Sequence, residues 1–137
     1  MQVIYTPIEY RLIPMEERLE VLLRYFGYRA SVFQNSVFET FQTLCPEYRG
    51  GYWHFYEALN GAFFMAPARG ESFTISVAGN GFQGAMSAHA AGVTVCLFVQ
   101  AAMAARFEDE DIMEMYESLR DHALGHEESA LIMSAID

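Results

Sequence analysis

Two Asn-Gly pairs, Asn60-Gly61 and Asn80-Gly81, each separate short runs of apolar and aromatic residues, and no other feature constrains the fold so tightly. Asparagine and glycine tolerate the positive φ angles that a tight reversal demands, so such a pair between strand-like segments predicts an antiparallel hairpin. Tyr52 to Leu59 and Ala62 to Ala66 form the first predicted hairpin, closed by a type I′ turn at Asn60-Gly61. Phe73 to Ala78 and Phe82 to Met86 form the second. The expected product is a small antiparallel sheet of three or four strands over about residues 52–86.

On either side the apolar spacing changes from period two to the helical period. Met15, Leu19, Leu22, Leu23 and Phe26 mark one helix face, with Glu16, Glu17 and Glu20 early, Arg24 late and Gly27 as the stop. Ser31-Val-Phe-Gln34 reads as a capping box for a second helix, with Phe33, Val37, Phe41 and Leu44 inward and its end before Pro46. Beyond the strands, Ser87 is the N-cap of an apolar helix marked by Ala91, Val95, Phe98 and Ala102. A further helix places Ile112, Tyr116, Leu119 and Ala123 inward and stops at Gly125, and a short one follows from about Glu127 to Ile136. The order ααββββααα, about five helices packed on the sheet, is that of an α+β domain. Without repeats or linkers, residues 1–137 read as one domain.

Composition narrows the function. With 53% hydrophobic residues the chain can build a packed core despite a net charge of -10. Its eight basic residues are all Arg and are scattered singly, so no cationic surface is available for a nucleic-acid backbone and direct nucleic-acid binding is not expected. Cys45 and Cys96 lack a CxxC spacing, and no basic-then-apolar segment opens the sequence, which points to the reducing cytoplasm. The apolar run Ala90 to Ala105 includes Thr94 and Gln100 and falls short of the roughly 20 residues that cross a bilayer. It reads as a core helix, with no membrane partner.

Motifs for catalysis are weak. Gly79, Gly81 and Gly84 complete a GxGxxG, but a strand intervenes where a dinucleotide site needs a helix, so turn and bulge glycines explain the pattern. No GxSxG is present, and His54 and His89 read as structural histidines. His122 and His126, four apart beside Asp121, Glu127 and Glu128, have the composition of a metal site, but Gly125 interrupts the helix between them. A small His/carboxylate metal protein is therefore an alternative, while the main reading has no catalytic residue, cofactor or metal. The aromatics Tyr52, Trp53, Phe55, Tyr56, Phe63 and Phe64 read first as core and sheet packing, and because they fall on both faces of the predicted strands, one set is also a candidate contact patch.

Charge concentrates in Glu108, Asp109, Glu110, Asp111, Glu114, Glu117 and Asp121, seven acids against one Arg120, a net of -6 out of -10. That stretch raises a second alternative, an acidic DNA-mimic competitor of a DNA-binding complex. Its charge density is about half that of B-DNA, which carries one charge per roughly 1.7 Å, and acids are also favoured at a helix N-terminus.

The segment GGYWHFYEALNGAFFMAP from Gly50 to Pro67, followed by NGFQG and by Ser-Ala-x-Ala-Ala-Gly at residues 87–92, closely resembles the ArdB/KlcA-type antirestriction proteins. Arg18-Leu19, Tyr25-Phe26-Gly27 and the ending from Glu128-Ser129 to Asp137 resemble that family too, while Leu23 and Ala58-Leu59 depart from its pattern. The resemblance implies a protein of plasmids or other mobile elements that inhibits type I restriction, so that incoming unmodified DNA survives. Its implied partner is the type I restriction-modification complex or one of its subunits. The candidate contact residues are Trp53, Glu108, Asp109, Glu110, Asp111, Glu114, Glu117 and Asp137.

Overall fold

A computed structural model describes residues 5–70 and 72–137 of the chain. Strand β1 (Tyr10–Leu12) precedes helices α1 (Arg18–Phe26) and α2 (Ala30–Leu44). Strands β2 (Trp53–Ala58), β3 (Phe63–Pro67), β4 (Phe73–Val77) and β5 (Phe82–Met86) follow, then helices α3 (Ala88–Phe107), α4 (Glu110–Leu124) and α5 (Ser129–Ile136). The α+β class and the helix-strand-helix order are those expected.

The strands divide into two sheets rather than one. β1, β2 and β3 form an antiparallel three-stranded sheet, with Tyr10 opposite Ala58 and Trp53 opposite Pro67. β4 and β5 pair with each other, Phe73 opposite Met86 and Val77 opposite Phe82. The hairpins stay apart because α3 occupies the outer margin of β3. Gln100 Nε2 donates to Phe63 O (2.8 Å), and Met65 N–H points at Cys96 Sγ (3.3 Å). A fourth strand would need those peptide groups, and α3 side chains already satisfy them. The approach depends on Gly92, where a Cβ would lie 2.4 Å from both Ala66 Cβ and Met65 O.

All five residues of β3 are buried, since both sheet faces are covered as well as that margin. Phe63 packs edge-on to Phe26, Phe33 and Phe55 beneath α1 and α2. Phe64 stacks on Tyr56 and meets Tyr10, His89 and His122 on the opposite face. The strand aromatics are thus mostly core, as expected, and the alternative of an exposed aromatic contact face is not what the fold shows.

Both reversals are longer than anticipated. Gly61 N–H donates to Ala58 O (3.0 Å) and Ala58 N–H to Ala62 O (2.9 Å), which makes Leu59-Asn60-Gly61 a three-residue loop with Gly61 at φ 89°. A type I turn followed by a left-handed glycine has this form, in place of the two-residue type I′ turn. In the second hairpin Gly81 N–H reaches back to Val77 O (2.9 Å), with Gly81 at φ 76°. The GxGxxG glycines accordingly belong to the β4–β5 hairpin and not to a strand-to-helix turn.

The helices depart from the sequence reading in three places. α2 emerges at Ala30 from a tight turn at Gly27–Arg29 without a side-chain cap, so the Ser31–Gln34 capping box does not form. The inward face of α1 runs through Val21 and Leu22, while Met15, Leu19 and Leu23 are 64%, 69% and 50% exposed. α3 runs 20 residues, longer than the apolar run suggested, and by length and composition alone could cross a membrane; 67% of that window is buried within the fold. Its N-cap is Ser87, whose hydroxyl accepts from Ala90 N–H (3.1 Å). Cys96, wholly enclosed against β3, has its thiol pushed up to about 12 by burial.

Candidate functional site

The sequence-predicted contact residues separate into an exposed group and two with internal partners. Glu108 closes α3 in the left-handed conformation (φ 48°), and Asp109 then starts α4 by accepting from Ile112 N–H (3.1 Å). Asp109 is half-buried and ion-paired with Arg29 (2.7 Å), whose guanidinium lies 4.1 Å from the centre of the Phe107 ring. Its carboxylate therefore has a structural task. Glu108, Glu110, Asp111, Glu114 and Glu117 are exposed. Along α4, Glu110, Glu114, Glu117 and Asp121 recur at i, i+4, i+7 and i+11, so they share one stripe. That stripe lies opposite the buried Ile112, Met115, Leu119 and Ala123. Tyr116, expected inward, is only partly buried. Asp137 is exposed after the last turn of α5.

Trp53 is placed differently from its prediction as a contact residue. It is 3% exposed, its indole N–H donates to Tyr48 Oη (2.6 Å), and the rings of Phe38 and Phe41 meet it edge-on. Strand alternation turns Trp53 and Phe55 toward α1 and α2. The signature tryptophan is thus a packing anchor at the edge of the core.

The structure also assembles a cluster that the sequence reading only half perceived. His122 and His126 are joined by His89, and the three imidazoles border a cleft of about 410 Å³ with Tyr10, Ser87 and Glu128. Helix α4 ends at Leu124, and the Gly125 that follows lies against the N-terminal segment: a Cβ there would sit 2.6 Å from Thr6 O. Gly125 has φ -92°, so close approach and not a left-handed backbone is what requires glycine.

Hydrogen bonds order the cluster. Glu128 N–H donates to His126 Nδ1 (2.9 Å), which leaves the His126 proton on Nε2. That proton lies between His126 Nε2 and His89 Nδ1 (2.9 Å), which in turn leaves the His89 proton on Nε2, buried and without a partner among the described residues. Both ring nitrogens of His122 are likewise buried and make no well-formed hydrogen bond among the described residues, with the Ile8 backbone near enough to favour the protonated ring. Burial and then the neighbouring histidines pull His89 and His122 down to about 4, and burial lowers His126. Burial pushes the Glu128 carboxyl up, but two hydrogen bonds from Ser87 outweigh this and hold it below the usual range.

The cluster can therefore present neutral N–H donors at neutral pH, while the Nδ1 lone pairs of His89 and His126 are engaged internally. No three His, Cys, Asp or Glu side chains among the described residues are grouped to hold a metal ion. The His/carboxylate metal alternative finds no assembled ligand set there. What sequence reasoning missed is His89, 33 positions before His122; only the docking of α3 beside α4 reveals it.

Comparison with known proteins matches this architecture. A model of the family described as "Antirestriction protein" matches residues 46–137. The Escherichia coli antirestriction protein KlcA is 38% identical over 136 residues, covering 96% of both chains. An uncharacterized Escherichia coli K12 protein, YfjX, is 38% identical over 129 residues, covering 91% of this chain and 85% of its own. A solved structure from work on KlcA and ArdB, which are described as having a novel fold and antirestriction activity against type I DNA restriction systems in vivo but not in vitro, superposes with a TM-score of 0.90. The match is at 37% identity and covers 100% of both chains. With its α+β order and its match to the family model over α3, α4, α5 and four of the strands, this chain belongs to the antirestriction protein family.

Proposed function

We propose that the protein acts in the cytoplasm, as a single unit carried by a mobile element such as a plasmid, to inhibit type I restriction and so protect incoming unmodified DNA. It does this by contact with the restriction-modification complex or one of its subunits, without turnover of a substrate. The observation that carries the reading is the exposed acidic stripe of α4 on a chain of the antirestriction family. A surface of one sign steers and orients a partner of the other sign. Mimicry of DNA is the weaker reading: one stripe places an acid every 5–6 Å or so along the helix, against roughly 1.7 Å per charge in B-DNA.

The test is the plating of unmodified phage on a host with an active type I system, with and without this gene. Plating rises with the wild-type gene and falls back for the double variant Glu114→Arg/Glu117→Arg. Equal plating with and without the gene refutes the function. Full relief by the double variant refutes the acidic stripe as the contact.

A further inference from the structure

We propose that a slot between α1, α2 and the start of β2 receives an apolar segment of the type I restriction complex that carries a carboxylate. This rests on the reading that the chain acts by contacting that complex, and it adds a second, chemically distinct contact to the acidic stripe.

Arg18 is the centre of the slot. It occupies the first turn of α1, and its guanidinium carbon lies 4.7 Å from the centre of the Tyr52 ring and 4.6 Å from that of Phe55. Its Nε is buried and makes no hydrogen bond among the described residues. Arg11 and Arg24 share Glu57, and Arg29 holds Asp109; of the arginines without an ion pair among the described residues, Arg49, Arg69, Arg106 and Arg120 are exposed to water, whereas Arg18 is half-buried. In a chain with 18 acidic residues, a guanidinium held between two rings without a carboxylate partner is a donor left free. Its fork of N–H groups matches a carboxylate, and a partly desolvated setting strengthens that pairing.

The walls specify the rest of the ligand. The slot encloses about 380 Å³ and is bordered by Leu19, Phe38, Tyr52 and Trp53. Leu19 is 69% exposed, Tyr52 45% and Phe38 36%, and Leu23, one turn beyond Leu19, is 50% exposed. A small free anion would satisfy Arg18 but leave this apolar rim in water, whereas a peptide segment covers both. Clustered Arg, Tyr and Trp with a surrounding apolar rim is also the composition of interface hot spots. Trp53, a packing anchor at the edge of the core, forms part of the lining and holds its shape.

The experiment is done in cells that carry the type I system and the full chain. The photo-crosslinking residue p-benzoylphenylalanine replaces Leu19 in one strain and Glu114 in another, and adducts are identified by immunoblotting for each restriction subunit. In parallel, plating of unmodified phage is measured for Arg18→Gln, Arg18→Lys and Leu19→Glu, with urea unfolding to establish that each variant folds. Leu19→Glu changes an exposed side chain, so it keeps the test informative if Arg18 variants do not fold. The expected result is an adduct between position 19 and a restriction subunit, with relief lowered about tenfold or more by Leu19→Glu and Arg18→Gln. Arg18→Lys, which keeps the charge and loses the fork, is expected to restore only part of it.

A folded Leu19→Glu with full relief overturns the slot while leaving the inhibitory function standing. So does an adduct from position 114 with none from position 19. If the wild-type gene gives no relief and neither position crosslinks, the contact reading itself fails and the slot fails with it.

Discussion

Asn60 Nδ2 donates to the carbonyl of Ser118 (2.8 Å), a bond that spans 58 positions and fastens the β2–β3 loop to α4. The same side chain's Oδ1 accepts from Ala62 N–H (3.1 Å), so one amide shapes the turn and docks it. Asn80 repeats the device in the second hairpin: it donates to Ala135 O (2.9 Å) in α5 and accepts from Phe82 N–H (2.9 Å). Each hairpin tip is thereby pinned to a different C-terminal helix.

Replacing Asn60 by Ala removes both bonds at once. At about 1 kcal/mol for each net hydrogen bond, the loss is about 2 kcal/mol. Urea unfolding is the measurement. Asn80→Ala behaves alike, and the double variant shows an additive loss because the two tips engage separate helices.

Gly92 is the point where α3 meets β3. Ala at this position forces the helix off the strand margin, because the colliding atoms are backbone and Ala66 Cβ. A destabilisation of 1–3 kcal/mol or so follows. The Gln100 to Phe63 and Met65 to Cys96 bonds weaken with it, seen as faster amide exchange at Met65.

The histidine cluster makes stability depend on pH. His89 and His122 titrate near 4 in the fold and at the ordinary histidine value when unfolded, so the unfolded chain binds more protons between those limits. Stability is therefore full above about pH 6.5 and declines as the pH falls toward 4. His122→Phe removes one such group at the loss of no more than a weak contact with the Ile8 backbone among the described residues. Its urea midpoint falls less steeply over this window than that of the wild-type protein.

Asp109 separates structure from contact. Asp109→Ala removes both the cap of α4 and the partner of Arg29, and it lowers stability by about 1–2 kcal/mol. Glu114→Ala removes an exposed acid and leaves the unfolding midpoint within about 0.5 kcal/mol of wild type. Thermal unfolding of the two variants side by side distinguishes these effects.

Much of this was legible in the sequence because helical periodicity and Asn-Gly pairs act locally. The Ser87 cap, the inward residues of α2 and the two hairpins follow from a few neighbouring side chains. β1 was not legible, as Tyr10–Leu12 is three residues long and acquires strand character only by pairing with β2. Leu19 and Leu23 were assigned inward because α1 carries apolar residues on more than one face, and periodicity does not say which face the core takes. The division into two sheets depends on Cys96 and Gln100, whose spacing marks nothing until α3 is laid beside β3. Of the predicted contact acids, Glu110, Glu114 and Glu117 followed directly from α4 periodicity. The pairing of Asp109 with Arg29, 80 positions earlier, did not.

An unpaired strand margin is where one polypeptide recruits another into growing fibres. By closing the outer side of β3 with a thiol and an amide, α3 leaves the three-stranded sheet, among the described residues, one open border, β1, which is short and bears Arg11. Such a sheet offers little template for end-to-end addition of further copies. The helix that holds the core together thus also acts as a safeguard against self-polymerisation.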